Sequence, residues 1–121
     1  MTDFRYPRRL RLLTSGDFSR VFDRADVKVP DQHLLILARP NDLGYPRIGF
    51  VISKKNVRRA VKRNRVRRII RESFRLHQHE LPALDMVILA RKGLDTLEGP
   101  ELHAVIRRCW SRAGKKARKL T

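Results

Sequence analysis

The sequence has little of what a secreted, zinc-bound or membrane-spanning protein needs. Cys109 is the only cysteine among 121 residues, which excludes an internal disulfide and a zinc site built from thiolates. It stands among apolar residues of a predicted helix, so we expect a buried structural thiol. No apolar run is long enough to cross a bilayer, and no signal-peptide core precedes a cleavage site. We therefore expect an intracellular, cytoplasmic protein.

Acidic residues are also scarce. The chain has 12 Asp and Glu against 29 Lys and Arg, which gives a formal net charge of +17. This excess indicates a polyanionic partner, although charge alone does not separate RNA, DNA and an anionic membrane.

The sequence pattern does not indicate a carboxylate metal site for protein-based hydrolysis. A protein nuclease needs its own acid, base and metal ligands, and the cluster worth considering is His77, His79 and Glu80. These residues stand at a predicted helix end, where the helix dipole favours a cationic side chain. We interpret them as a solvated terminus, and we assign no catalytic residue and no metal ligand to the protein.

The stretch from Ser53 to Arg75 carries much of the positive charge. From Lys54 to Arg75, eleven of the twenty-two residues are Lys or Arg, and only Glu72 opposes them. Ordinary surface helices place Glu and Lys four residues apart, which stabilises a helix by about 0.2–0.5 kcal/mol per pair. This stretch places Arg beside Arg instead. We interpret it as a surface for a nucleic-acid backbone; the alternative is a solvated, arginine-rich helix.

On a helix, the second half of this stretch separates into two faces. One face is mostly apolar and comprises Val66, Ile69, Ile70, Ser73 and Phe74. The other is mostly cationic and comprises Asn64, Arg67, Arg68, Arg71 and Arg75. On the same helical projection, Val57, Ala60 and Val61 lie on the side opposite Ile69 and Ile70. Either the chain before about Lys62 leaves the regular helix, or the helix start is packed on both sides. We expect the first turn to lie under a neighbouring loop.

At these residues the chain resembles a known family. Ser53-Lys54-Lys55, followed by the run from Ala60 to Arg68 with Arg63-Asn64-Arg65 at its centre, is similar to the RNR signature of the bacterial ribonuclease P protein subunit. In that family a basic protein of about this length assists a catalytic RNA that removes the 5′ leader from precursor tRNA. The resemblance implies those two RNAs as partners for a monomeric protein without membrane contact. It also implies that the RNA and its Mg²⁺ carry the endonucleolytic hydrolysis, so no cofactor is expected on protein side chains.

The remaining patterns predict one α+β domain over residues 1–121. A basic N-terminal arm of about residues 1–13, anchored by its leucines, precedes a helix that Thr14 caps with Asp17 in a capping box and that ends near Ala25. Strands are predicted over residues 27–29, 34–38, 47–53 and 85–90. Asn56 is expected to cap a long helix from Val57 to about His79.

The last predicted helix opens at Gly99-Pro100 and ends at Gly114, before a flexible basic tail of about residues 115–121. The resulting α-β-β-β-α-β-α order resembles that of the ribonuclease P protein over nearly the whole chain. Met86 to Ala90 is apolar on both faces, so we expect this strand at the centre of a four-stranded sheet. The family joins its third and fourth strands by a left-handed βαβ crossover, which the resemblance implies and periodicity cannot show.

The resemblance also implies a surface for the single-stranded leader. In the family, the first helix and the sheet line a shallow cleft, and the leader-binding positions match Phe18, Phe22, Ile36 and Ser53. Unstacked bases lie on aromatic rings with little demand for sequence. Ile36 stands where the family commonly has an aromatic residue, so an apolar contact must substitute there. On pattern alone, the alternative is that the stripe containing Phe18 and Phe22 is ordinary core.

A second implied surface contacts the catalytic RNA. It comprises basic residues of the arm and of the RNR region, with one asparagine: Arg9, Arg11, Lys54, Lys55, Arg58, Lys62, Arg63, Asn64, Arg65, Arg67, Arg68 and Arg71. Arginine suits a folded RNA because its planar fork holds phosphate through two hydrogen bonds and also stacks on bases. The neutral Asn64 has three open roles: bonding RNA, ordering a neighbouring arginine, or coordinating a hydrated metal.

Three other functions fit the sequence less well. A ribosomal or rRNA-associated structural protein shares the size and charge but gives no reason for Phe18 and Phe22 beside an RNR helix. A duplex DNA binder usually has a helix-turn-helix, whereas a strand precedes the basic helix here. A membrane-surface helix would need a large exposed aromatic border.

Overall fold

The computed structural model describes residues 10–11 and 14–120. The described chain contains three α-helices and four β-strands, in the order α1 (Ser15–Asp23), β1 (Val27–Pro30), β2 (Leu34–Pro40), β3 (Arg47–Val51), α2 (Ala60–His77), β4 (Leu84–Ala90) and α3 (Gly99–Arg118). Short 3-10 turns follow α2 and β4, at Gln78–Glu80 and Leu94–Thr96. The α+β class and the α-β-β-β-α-β-α order predicted from the sequence are confirmed.

The four strands form one mixed sheet in the order β1-β2-β4-β3. β2 pairs antiparallel with β1 and β4, while β3 and β4 are parallel. The predicted central position of the apolar strand is therefore confirmed, because β4 has a neighbour on each side. Since β3 and β4 are parallel neighbours, the chain crosses between them through α2. The left hand of this crossover stays a prediction from the resemblance.

The main core lies between one face of the sheet and the helices α2 and α3. Ile36, Ile48, Ile70 and Phe74 are fully buried in it. Trp110 packs against Phe74 with ring centroids 5.8 Å apart, and its indole N–H donates to the buried hydroxyl of Ser73 at 3.0 Å. That bond satisfies the one polar atom of the indole, as burial of a tryptophan requires.

Cys109 belongs to this main core. It is fully buried, and burial raises the pKa of its thiol to about 11, since a thiolate is disfavoured away from water. The expectation of a buried structural thiol is confirmed.

The opposite face of the sheet carries α1 and a much smaller cluster. Val21 of α1 and Val87 of β4 are its buried members, with Phe18, Leu37 and Leu89 partly buried around them.

The helix α1 begins with the predicted capping box: the Asp17 N–H donates to Thr14 Oγ1 at 3.1 Å, and the Thr14 N–H donates to Asp17 Oδ2 at 3.2 Å. It ends at Asp23, two residues before the predicted end.

The predicted start of the basic helix is wrong. α2 begins at Ala60, with Arg59 at the N-cap position and no side-chain cap. Asn56 does not cap it, because its side-chain amide donates to the Ala90 carbonyl at 2.9 Å. Val57 is buried in the main core from a non-helical segment, whereas Val61 is exposed. The chain therefore leaves the regular helix before Ala60, and the expectation that a neighbouring loop covers the first turn is wrong, since Ala60 and Val61 are both exposed.

The predicted end of the last helix at Gly114 is also wrong. α3 continues to Arg118, so four residues of the predicted flexible tail are helical. Ala113, Gly114 and Ala117 are buried together on one side of the helix. A glycine costs a helix about 1 kcal/mol relative to alanine, and the packing of this face outweighs that cost.

The predicted anchoring of the N-terminal arm is confirmed at one leucine. Leu10 is buried in the main core, and Arg11 forms an isolated parallel bridge with Ile48 of the edge strand β3. Arg9, Leu12 and Leu13 lie outside the described residues.

Candidate nucleic-acid interface

The RNR region presents a cationic outer surface. Its exposed members are Lys54, Lys55, Arg58, Asn64, Arg68 and Arg71, with Lys62 and Arg67 half-buried among them. The Asn64 side-chain oxygen accepts a hydrogen bond from Arg67 Nη1 at 3.2 Å. Of the three roles open for Asn64, the structure thus contains the ordering of a neighbouring arginine. The Arg71 guanidinium lies 5.5 Å from the centre of the Phe50 ring, a cation–π distance that orients it.

Two arginines of the same motif point inward. Arg63 Nη1 donates to the carbonyls of Val57 and Arg58 at 3.0 and 2.8 Å, and so holds the segment that precedes α2. Arg65 Nη2 donates to the Leu97 carbonyl at 2.9 Å, and so ties α2 to the turn before α3. These bonds satisfy backbone carbonyls of other segments and so hold the fold.

A cationic depression of about 530 Å³ lies at the amino-terminal end of α2. One wall comprises predicted contacts, namely Lys55, Arg58 and Lys62, and the other comes from the segment after β4, including Lys92. Sequence reasoning missed Lys92 and Arg59, which also lines the depression. The available signal was topological: the carboxyl ends of parallel neighbours meet at one edge of a sheet, so the segments that follow β3 and β4 come together.

The face of the sheet that carries α1 presents an apolar surface of Phe18, Phe22, Leu37, Val51 and Leu89. We call it the leader surface, after the ligand that the resemblance implies. Phe22 is 46% exposed, and Val51, beside Leu89 in the parallel register, is also exposed. Ser53 follows β3 as an exposed residue, and its hydroxyl accepts the Asn56 N–H at 3.3 Å. The leader surface therefore runs directly into the cationic segment at Lys54 and Lys55.

The prediction that Ile36 belongs to this surface is wrong. Its side chain is fully buried in the main core, and its register neighbours, Val29 and Ile88, are core residues as well. Alternate residues of a strand point to opposite faces, so a shift of one position in an alignment moves a side chain from one face to the other. The β2 residues on the α1 side are Leu35, Leu37 and Arg39.

The candidate acid–base cluster lies at the end of α2, where His77 and Glu80 line one depression together with residues of α3. His77 Nδ1 lies 2.8 Å from the Ser73 carbonyl oxygen, and Glu80 is exposed in the turn that follows. Within residues 10–11 and 14–120, no three His, Cys, Asp or Glu side chains are grouped so that they could hold a metal ion. Nor does any helix in that part of the chain have the length and apolar content to cross a membrane.

Comparison with known proteins identifies the family. The family model described as Ribonuclease P matches residues 6–114. The chain belongs to the Ribonuclease P family. The resemblance predicted at the RNR region is therefore confirmed over most of the chain, and the alternatives of a ribosomal protein, a DNA binder and a membrane-surface helix are set aside.

Individual members of the Ribonuclease P family are similar in sequence and in fold. The ribonuclease P protein component of Chromohalobacter salexigens is 57% identical over 119 residues, which cover 98% of this chain and 93% of that protein. That of Pseudomonas aeruginosa is 54% identical over 107 residues, covering 88% and 79%. The solved RNase P protein of Thermotoga maritima has a TM-score of 0.75 at 26% identity, with 84% of this chain and 96% of that chain covered.

Proposed function

We propose that this chain, as the protein component of ribonuclease P in tRNA processing, contacts two RNAs through two surfaces. The cationic surface around α2 binds the catalytic RNA, and the leader surface beside α1 binds the 5′ leader of precursor tRNA. The observation that carries the proposal is the continuity of the two surfaces. An exposed aromatic and aliphatic face leads through Val51 and Ser53 into Lys54 and Lys55, so a leader on the first surface would lie directly beside the catalytic RNA on the second.

The chemistry of each surface suits its proposed ligand. A single-stranded leader offers the faces of unpaired bases, and stacking a base on an aromatic ring is worth about 1–3 kcal/mol. Each tenfold preference for precursor over mature tRNA requires about 1.4 kcal/mol, so one or two stacked bases suffice. The folded catalytic RNA offers phosphates, which the exposed guanidinium groups of Arg68 and Arg71 can hold through paired hydrogen bonds.

In this proposal the protein positions RNA and does not cut it. The hydrolysis of the phosphodiester belongs to the catalytic RNA and to Mg²⁺ held mainly by that RNA. The proposal treats the free protein as a cytoplasmic monomer that assembles on the RNA.

The test is reconstitution. Purified protein added to the catalytic RNA is expected to raise the rate of precursor tRNA cleavage at limiting substrate, and protein freed of RNA is expected to cleave nothing. The measurement is the appearance of the 5′ leader fragment with each component alone and with both together. Cleavage by RNA-free protein that disappears in His77→Ala would place the chemistry on the protein and contradict the proposal.

A further inference from the structure

We infer that a buried ionic network, formed by Asp17, Arg47 and Asp85, fixes α1 over the sheet, and that Arg47 is thereby a positioning residue for leader binding. This inference rests on the proposed function, since it concerns the surface that Phe18 and Phe22 present. It adds a determinant of precursor affinity that lies neither in the RNR region nor among the exposed aromatic residues.

The helix α1 cannot hold its own position. It has nine residues, fewer than the roughly 12–15 at which an isolated helix becomes even marginally stable in water. Its apolar attachment is small, because Val21 is its one fully buried apolar side chain while Phe18 is half-buried and Phe22 is 46% exposed. The helix therefore depends on polar contacts to stay in one orientation.

The network begins with a two-pronged ion pair across the parallel strands. Arg47 Nε and Nη2 donate to the two carboxylate oxygens of Asp85 at 2.8 and 2.7 Å, and the two residues are register neighbours in β3 and β4. The amide of Asn41 donates to the same carboxylate at 2.9 Å and to the Tyr45 carbonyl at 3.2 Å. The guanidinium is therefore held rigidly on the sheet.

The network reaches α1 through Asp17. Arg47 Nη2 lies 3.7 Å from Asp17 Oδ1, and the side chains of Arg47, Asp17 and Asp85 are only 17%, 10% and 7% exposed. Partial burial limits screening by salt, so the attraction persists at physiological ionic strength. Asp17 also accepts the Thr14 N–H and pairs with Arg20 Nη2 at 2.6 Å. One carboxylate thus caps the helix and attaches it to the sheet.

A second arginine of the sheet contacts the same helix. Arg39 Nη1 donates to the Arg20 carbonyl at 3.3 Å. Phe18 follows Asp17 directly, and Phe22 lies one turn further along the helix. A shift of the first turn therefore displaces both rings, and the network sets the distance between those rings and the strands beneath them.

The experiment compares Arg47→Gln with a control that breaks another Arg–Asp pair. Arg108→Gln is the control, because Arg108 lies on α3, away from α1, and pairs with Asp31 at 3.0 Å. In the free protein, amide hydrogen exchange of Ser19 to Asp23 is expected to become about tenfold faster or more in Arg47→Gln, with central β2 and β4 amides unchanged. In the holoenzyme, KM for precursor tRNA is expected to rise about tenfold with kcat little changed. The control should alter neither quantity.

A double variant keeps the test possible if Arg47→Gln alone does not fold. If the carboxylate left unpaired by Arg47→Gln unfolds the protein, Arg47→Gln with Asp85→Asn replaces the ion pair by neutral amides of similar shape, and the same measurements are made on it. The contact of Arg47 with Asp17 is still missing in the double variant, so exchange of the α1 amides is expected to stay fast while the central β2 and β4 amides stay protected. Recovery of slow exchange in α1 would show that the unpaired Asp85 caused the effect and would overturn Arg47 as the anchor.

The outcomes separate this inference from the function on which it rests. Unchanged exchange in α1 would overturn the network as an anchor and leave leader binding by Phe22 intact. Faster exchange with unchanged KM would overturn the positioning role of Arg47. If Phe22→Ala then also left precursor binding unchanged, the proposed leader surface would fail too.

Discussion

The two faces of the sheet are packed in opposite ways. Under α2 and α3, apolar side chains are buried from Val66 to Phe74 and from Leu102 to Ala117. Under α1, among the residues that the structure describes, the buried cluster comprises Val21 and Val87 alone. The first face has the packing of an ordinary core and supplies stability. The second leaves Phe22 and Val51 exposed and Phe18, Leu37 and Leu89 only partly buried, and a grouped apolar patch of this kind is typical of a binding surface.

A similar apolar spacing therefore has different consequences in two helices of one chain. In α3 the apolar stripe is buried throughout, from Leu102 to Ala117. In α1 the stripe is buried at Val21 but exposed at Phe22. The difference arises from what lies opposite, because α3 is flanked by α2 on the sheet while the described residues place no second helix beside α1. Periodicity identifies a stripe, but the neighbouring elements decide whether it is covered.

The largest expected effect is on the free energy of unfolding, when alanine replaces either of two adjacent residues of β2 that face opposite sides of the sheet. Ile36→Ala removes a fully buried side chain from the main core and is expected to lower the free energy of unfolding by about 2–5 kcal/mol. Leu37→Ala, on the α1 side, should lower it by about 1–2 kcal/mol. Urea unfolding of both variants measures the difference. Equal losses would mean that the two faces contribute alike to stability.

Smaller effects are expected for the arginines of α2, where replacing an inward arginine should lower stability and replacing an outward one should weaken RNA binding. Arg65→Ala leaves the Leu97 carbonyl without its donor and should lower the free energy of unfolding by about 1–3 kcal/mol. Arg68→Ala should change stability by less than about 0.5 kcal/mol. It should weaken binding to the catalytic RNA instead and reduce the log–log salt slope by up to about one unit.

The control for Arg68→Ala is Arg107→Ala, which removes an exposed arginine from α3. Salt titrations of RNA binding by the two variants are to be compared under identical conditions. Indistinguishable slopes would show that α2 contributes only to a diffuse positive field and makes no specific phosphate contact.

The sequence predicted the fold closely where local signals agree. The order of elements, the capping box of Thr14 and Asp17, and the central position of β4 each follow from short-range patterns, and each is present. The end of α3 was missed because the intrinsic cost of Gly114 is local, whereas the packing that outweighs it is tertiary.

The candidate site was less predictable, because long-range contacts decide its geometry. A helical projection cannot show that Arg63 and Arg65 reach backbone carbonyls in other segments. Nor can it pair Arg47 with Asp85, which lie 38 positions apart. Ile36 was assigned to the wrong face since the assignment rested on an alignment, and an error of one residue in a strand reverses the side-chain direction.

The most direct test of the account compares Phe22→Ala with Leu76→Ala, two changes at similarly exposed apolar residues, 46% and 47%, on α1 and α2. Holoenzymes made with each variant are titrated with precursor and with mature tRNA, and the melting temperature of each free protein is recorded. The account predicts that Phe22→Ala weakens precursor binding by about 1–3 kcal/mol, leaves mature tRNA binding unchanged and barely alters melting, while Leu76→Ala changes none of these. A large fall in melting temperature with equal losses for both RNAs would instead show that Phe22 is core, and would contradict the account.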